Sequence, residues 1–80
     1  MSREKEFVIV INGTEHEVAG EVVTYDNVVT LAFPGQPVTP EYAVTFEHAQ
    51  HPKKGTLASG GSVTVKKHGT IFDVTPTNRS

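Results

Sequence analysis

The chain has 80 residues and a formal net charge of −2, with 36% apolar and 20% charged residues. A chain of this length buries about 60–65% of the surface that it exposes when unfolded. That is enough for one small core and too little for a two-domain enzyme with a cleft between its domains. The composition is not that of a disordered chain. The absence of cysteine excludes disulfides, thiolate zinc sites and a cysteine nucleophile.

Branched side chains dominate the composition, with 12 Val, 3 Ile and 10 Thr against 2 Leu and 1 Met. Such side chains are stiff at χ1 and fit a pleated sheet better than a helix, so we predict a mostly β protein. Residues 1–6 carry charges of both signs and are expected to form a short flexible lead, with no signal-peptide-like apolar segment after them. We therefore expect a soluble cytoplasmic protein that binds neither nucleic acid nor membrane.

A β-hairpin is predicted at the start of the fold. Phe7 to Ile11 is a continuous apolar run, which is typical of a central strand. Asn12-Gly13 separates it from a second run, Thr14 to Val18, whose glutamates alternate with less polar residues. Asn-Gly between two strand-like runs is a strong hairpin signal because both residues tolerate the positive φ of a type I′ turn.

One helix is predicted from about Tyr25 to about Phe33, where Pro34 ends it. Thr24 is suited to cap its N-terminus. The apolar stripe is expected to consist of Val28, Leu31 and Ala32, widened by Tyr25 and Val29. Its Val and Thr residues are poor helix formers, so only packing against the rest of the fold would hold this helix.

The second half of the chain reads as strands. Residues 41–47 alternate well, 56–57 fit a very short strand, 62–66 fit either a short strand or an extended connection, and 70–74 fit a last strand. A right-handed crossover then places the last strand parallel to the first. The order predicts an α+β fold, a single β-grasp (ubiquitin-like) domain over residues 7–74, in which a mixed four- to five-stranded sheet packs on one helix.

Three stretches resemble bacterial ubiquitin-like proteins of the multiubiquitin family. The first is the strand Phe7 to Ile11 running into Asn12-Gly13. The second is Val23-Thr24 leading into a helix that ends at Leu31-Ala32, followed by a gap and then Tyr42. The third is Gly69 to Val74, followed by a proline and a polar tail. Together they cover about residues 7–80, and their order and spacing carry the likeness.

The resemblance implies a protein modifier and not an enzyme. Such proteins occur in bacterial operons that resemble ubiquitination pathways and encode an activating enzyme, a conjugating enzyme and a processing peptidase, some of them in antiphage defence. These enzymes would be the partners of the chain, which would need no cofactor, metal or catalytic residue of its own. Its working end would be the flexible tail after Val74. This tail comprises Thr75, Pro76, Thr77, Asn78, Arg79 and Ser80.

The tail departs from the ubiquitin pattern, in which a terminal Gly-Gly is adenylated. The only Gly-Gly pair here is Gly60-Gly61, which precedes the last strand and is expected to be a turn. Either a peptidase trims the tail before activation, or the pathway accepts a different terminal residue, or the domain is not conjugated. The alternative function is therefore a β-grasp module for interaction or self-assembly. For the tail itself, the alternative is a frayed terminus.

An apolar outer face of the sheet is the second candidate site. Val8 and Val10 point opposite to Phe7, Ile9 and Ile11, so one set faces away from the core. We expect Val8 and Val10 to form the docking surface, with Phe46 or Phe72 contributing. The histidines and the Lys pairs are interpreted as solvated surface groups. Carboxylates of Glu15, Glu17 and Asp73 suit a hard cation, but a wet sheet face explains them as well.

Overall fold

A five-stranded mixed sheet carries one helix on one face and a separate two-stranded ribbon beside it. The computed structural model describes residues 7–37 and 41–77. The predicted lead, part of the loop before the third predicted strand and the last three tail residues lie outside the described residues. The elements are β1 (Phe7–Ile11), β2 (Thr14–Val18), β3 (Val22–Thr24), α1 (Tyr25–Ala32), β4 (Tyr42–Glu47), β5 (Gly55–Thr56), β6 (Ser62–Thr64) and β7 (His68–Pro76).

The order of the main sheet is β2-β1-β7-β4-β5. The first turn is the predicted one, because Asn12 and Gly13 both adopt positive φ, 51° and 85°, and Ile11 pairs with Thr14 across it. Strand β7 lies parallel to β1 and antiparallel to β4. The last strand of the chain is therefore the central strand of the sheet, as the right-handed crossover predicts. The chain is a single α+β β-grasp domain.

A bulge accommodates the pairing of β1 with β7. Val8 pairs with His68 and Ile9 with Thr70, so Gly69 is an extra residue in β7. Its φ of 95° lies in the left-handed region that favours glycine, and only a residue without Cβ adopts it at no cost. The bulge sets the register in which the remainder of β7 points Thr70, Phe72 and Val74 into the core.

The helix begins at the predicted cap. The Thr24 hydroxyl accepts from the Asn27 amide at 3.1 Å, and the Asn27 side chain accepts from the Thr24 amide at 3.3 Å. Phe33 closes the other end by donating its amide to the Val29 carbonyl at 2.9 Å. The buried stripe is shifted from the predicted one. Tyr25, Val28 and Val29 are buried, whereas Leu31 and Ala32 lie half-buried at the edge of the core.

Two strands, β3 and β6, form a ribbon that the sequence only partly predicts. Each has three residues, and Val23 pairs with Val63 at the centre, where both are buried. For β6, the sequence predicts either a short strand or an extended connection. For β3, it predicts only a segment that leads into the helix. Three residues are too few for an alternation to be read, so this pairing is fixed by tertiary contacts.

One core lies between the helix, the ribbon and the inner face of the sheet. Its buried apolar members are Ile9, Ile11, Val23, Tyr25, Val28, Val29, Val44, Phe46, Ala49, Leu57, Val63, Val65, Phe72 and Val74. The expectation that Phe46 or Phe72 contributes to the outer face is wrong. Their rings lie 6.1 Å apart inside this core, because their strand positions have the same parity as the buried Val44 and Val74.

Removing the helix cap is expected to destabilise the domain. In Thr24→Ala, the Asn27 amide loses its acceptor, which is expected to lower the free energy of unfolding by about 1 kcal/mol. The midpoint temperature of thermal unfolding should then fall by about 4–8 °C. Thr30→Ala is the matched control, since Thr30 is exposed within the same helix and alanine raises helix propensity there. Equal destabilisation by both variants would contradict the role of the cap.

Candidate functional site

The last strand extends further than its sequence predicts. We expected it to end at Val74, but Thr75 pairs with Ala43 and Pro76 with Tyr42. Thr77 then donates twice to the Glu41 carbonyl, from its amide and from its hydroxyl, each at 2.8 Å. Within the described residues, the end of the chain is therefore held in place as far as Thr77. Asn78, Arg79 and Ser80, the rest of the predicted tail, lie outside the described residues.

The side chain of Asn12 anchors β7 near its C-terminal end. Its Nδ2 donates to the Val74 carbonyl at 3.1 Å, and its Oδ1 accepts from the Val74 amide at 2.9 Å. The Asn12 amide itself donates to the Phe72 carbonyl at 3.0 Å. The side-chain amide thus pairs with Val74 as a further backbone residue of β1 would. It continues the parallel ladder past the point where β1 turns away into β2.

Tyr25 anchors the strand on the other side of β7. Its ring is buried at the start of the helix, and its hydroxyl accepts from the Tyr42 amide at 3.2 Å and donates to the Tyr42 carbonyl at 3.3 Å. Phe33 stacks on the Tyr42 ring with centroids 5.3 Å apart. Because Tyr42 pairs with Pro76, these contacts fix the end of β4 against which the end of β7 lies.

The start of β7 is held by a buried hydroxyl. Thr70 is fully buried, donates from Oγ1 to the His48 carbonyl at 2.9 Å, and accepts from the Lys66 amide at 3.0 Å. A buried hydroxyl without partners would be costly, so these two bonds tie the loop after β4 and the approach to β7 together. Strand β7 is therefore fixed at both ends, and its direction toward the tail is set by the fold.

The outer face of the sheet carries a small apolar centre. Val8 and Val10, the residues that the sequence assigns to this face, lie opposite to the buried Ile9 and Ile11, and both are half-buried. Ile71 of β7 pairs with Val10 and is 37% exposed. We call Val8, Val10 and Ile71 the outer triad. The sequence did not predict the third member, because its position depends on the register of β7.

Carboxylates surround the outer triad. Glu17 pairs with Val8, and Glu15 with Val10. On the other side, Glu47 pairs with Ile71. Asp73 is two residues further along β7 and borders the same groove as Ile71 and Glu47. All four acidic side chains are exposed. They are called the acidic rim below.

Two lysines lie near this face among the described residues. Lys54 lines the groove beside Glu47, Ile71 and Asp73. At the opposite margin, Lys67 places its Nζ 5.6 Å from the centre of the Phe7 ring, next to His68, which pairs with Val8. In the described part of the chain, the four acidic groups of the rim therefore outnumber the two lysines near this face.

The other sequence-predicted motifs form no reactive cluster in the described part of the chain. Gly60-Gly61 is a turn, in which Gly60 has φ of 83° and the Gly61 carbonyl accepts from the Tyr25 amide at 3.1 Å. His48 and His51 are exposed, and no group of three His, Asp or Glu among residues 7–37 and 41–77 is placed to hold a metal ion. Glu15, Glu17 and Asp73 therefore lie on one face as separate carboxylates.

The comparison with known families identifies the chain. The multiubiquitin family matches residues 7–78, which leaves out six residues at the start and two at the end. The chain belongs to the multiubiquitin family. Ubiquitin-like domains of this kind are generally modifiers without enzymatic activity. No curated protein and no solved structure matches it. Among the residues that the structure describes, no helix of this multiubiquitin domain has the length and apolar character needed to span a membrane.

Removing the Asn12 side chain is expected to loosen the end of β7. Asn12→Gly keeps a residue that tolerates positive φ but deletes both bonds to Val74. Two lost hydrogen bonds should lower the free energy of unfolding by about 1–3 kcal/mol. The rate of hydrogen exchange should rise more at the Val74 amide than at the Leu57 amide. Leu57 donates to the Val44 carbonyl in β4, on the side of β7 away from Asn12. An equal rise at both amides would contradict a local anchoring role.

Removing the Tyr25 hydroxyl is expected to destabilise the domain about as much as removing the Asn12 side chain. Tyr25→Phe leaves the Tyr42 amide and carbonyl without these bonds and should lower the free energy of unfolding by about 1–3 kcal/mol in urea titrations. Tyr42→Phe is the matched control. It also deletes a tyrosine hydroxyl from a half-buried ring, but it keeps the backbone groups to which Tyr25 is bonded. If the control is as destabilised as Tyr25→Phe, the hydroxyl of Tyr25 does not anchor β4.

Proposed function

We propose that this multiubiquitin domain is a ubiquitin-like protein modifier that is attached to a target through a carboxyl group at the end of its tail. Membership of the family supports a modifier role. The observation that carries the proposal is the placement of β7. It is the central strand, is anchored by Asn12 and Thr70, and carries the chain to Thr77 along a path that the sheet defines.

The chain supplies only the carboxylate to the chemistry. An activating enzyme catalyses attack of this carboxylate on the α-phosphorus of ATP, which forms an acyl adenylate and releases pyrophosphate. A nucleophile of the conjugation machinery then attacks the acyl carbon and releases AMP. A nucleophile of the target finally takes over the acyl group, loses its proton to a base, and releases the enzyme. Because the first step consumes ATP, we place the pathway in the bacterial cytoplasm.

The anchoring of the strand end bears on how the tail is processed. Thr75 and Pro76 pair with β4, and Thr77 is bonded to Glu41. A peptidase that trims within residues 78–80 would leave this pairing intact, whereas cleavage before Thr77 requires the end of β7 to detach from β4. We therefore propose that trimming occurs beyond Thr77. The processing peptidase, the activating enzyme and the conjugating enzyme are the proposed partners, and antiphage defence is the proposed setting.

A second function, non-conjugated interaction or self-assembly, is favoured by one observation. The outer triad lies exposed or half-buried on the sheet face opposite to the helix, which is where a β-grasp module would bind another protein. The two functions differ in their dependence on the tail. A modifier needs a free or trimmed carboxyl end, whereas an interaction module needs only the outer face of the sheet.

Mass spectrometry of tagged copies is expected to decide between them. An N-terminally tagged copy, purified under denaturing conditions from cells with the neighbouring genes, should yield species that are heavier by a target protein. A second copy with a C-terminal tag should lose that tag before it is conjugated. If only the intact chain is found, even under phage challenge, or if conjugates keep the C-terminal tag, the modifier function is wrong.

Two variants serve as controls for this experiment. Val10→Glu disrupts the outer triad, so a scaffold should lose its function in this variant. Blocking the carboxyl end with an uncleavable fusion leaves that face intact and should abolish function only in a modifier. Circular dichroism must first show that both copies are folded. Function lost with Val10→Glu and retained with the blocked end would support the interaction module.

A further inference from the structure

We propose that Asn12 is a modification site, at which deamidation by water permanently releases the end of β7. Deamidation converts asparagine to aspartate or isoaspartate. This inference goes beyond the modifier role and does not depend on conjugation. It rests on the sequence of the first turn, on the space around that turn, and on the two bonds between the Asn12 side chain and Val74.

The first turn brings the reacting groups together. Asn-Gly occurs once in the sequence, at Asn12-Gly13. Glycine has no side chain to hinder attack by its own amide nitrogen, and asparagine is a chemically labile residue. Both residues are exposed, and apart from its chain neighbours no heavy atom of the described residues lies within 4 Å of where a Cβ of Gly13 would be. Water, a base and a ring intermediate therefore have room at this turn.

The reaction consumes only water. The Gly13 amide nitrogen gives its proton to a base and attacks Cγ of Asn12. The Cγ–Nδ2 bond breaks, and Nδ2 takes up a proton and leaves as ammonia, so that a five-membered succinimide ring remains. Water then opens this ring at either carbonyl, which leaves aspartate or isoaspartate. The formal net charge of the chain changes from −2 to −3, because one carboxylate replaces one neutral amide.

The native structure slows the first step. Oδ1 of Asn12 accepts from the Val74 amide at 2.9 Å, and Nδ2 donates to the Val74 carbonyl at 3.1 Å, so the carboxamide is held against β7. Cγ reaches the Gly13 nitrogen only after both bonds break and the side chain turns away from β7. Deamidation of the folded chain therefore follows a local opening at the end of β7.

The product cannot restore the anchor. A carboxylate has no N–H, so an oxygen would take the place of Nδ2 beside the Val74 carbonyl. In isoaspartate the main chain runs through the former side chain and is one carbon longer, which does not fit a two-residue hairpin turn. Opening of the contact between Asn12 and Val74 is thus reversible before the reaction and permanent after it.

Peptide mapping by mass spectrometry of the full chain, incubated in mildly alkaline buffer below its unfolding temperature, measures the rate. Deamidation raises the mass of a fragment by about one dalton. We expect Asn12 to react at least about tenfold more slowly in the folded chain than in a synthetic peptide of residues 9–16, because two hydrogen bonds must break first. Asn27 is the internal control and should stay intact, since it is bonded to Thr24 and is followed by the β-branched Val28.

Two matched variants show whether the opening is local. Val74→Ala and Val63→Ala each truncate a buried valine, the first near the end of β7 and the second on the ribbon. Under conditions in which both variants are folded, Val74→Ala should accelerate deamidation of Asn12 at least about threefold more than Val63→Ala does.

The consequence is measured on the modified chain itself, which ion exchange separates by its added charge. The rate of hydrogen exchange at the Val74 amide should rise at least about tenfold over that of the unmodified chain. Asn12→Asp should reproduce this rise. Asn27→Asp is the charge-matched control and should leave the rate unchanged, because a carboxylate there still accepts from the Thr24 amide.

Three outcomes would overturn the proposal. The first is an Asn12 that reacts as fast in the folded chain as in the peptide, or that yields no product after many half-lives of the peptide. The second is equal acceleration by Val74→Ala and Val63→Ala, which would assign the reaction to global unfolding. The third is a deamidated chain whose Val74 amide exchanges as slowly as before. None of these results involves the carboxyl end, so the mass-spectrometric test of conjugation stands separately.

Discussion

The pair of hydrogen bonds between the Asn12 side chain and Val74 joins the first turn of the chain to its last strand. The fold depends on such a connection, because the central strand of the sheet is the last strand in the chain and must pair with a neighbour on each side. A parallel neighbour cannot be joined by a tight turn. The chain therefore uses a side-chain amide as one more rung of the ladder, at the point where β1 has already turned back.

The same constraint separates the two proposed surfaces. Once β7 is held between β1 and β4, alternate residues point to opposite faces. Phe72 and Val74 enter the core, and Ile71 and Asp73 face outward. The strand then continues to Pro76, and the chain is held as far as Thr77, about 20 Å along from Ile71. Both positions lie on the same strand. They are far enough apart that one protein can bind the outer face while an enzyme binds the tail.

Local patterns account for much of what the sequence predicted. Asn12-Gly13 determined the turn through the positive φ that both residues tolerate, and Thr24 determined the start of the helix through its capping oxygen. The side chain of Asn12 has a second role that no local pattern indicates, since its partner is 62 residues away. The hydroxyl of Tyr25 was missed for the same reason, because its partner Tyr42 is 17 residues away.

By itself, the sequence determined the β-rich composition, the order of the main elements and the family likeness, all of which follow from short-range chemistry and spacing. Only the tertiary structure decided which face each strand residue takes, because a shift of one residue in register exchanges the two faces. The bulge at Gly69 and the pairing with β4 thus placed Ile71 outside and Phe72 inside. Pairing with β4 likewise carried the strand through Pro76, since backbone partners outweigh the weak strand preference of a polar, proline-containing segment.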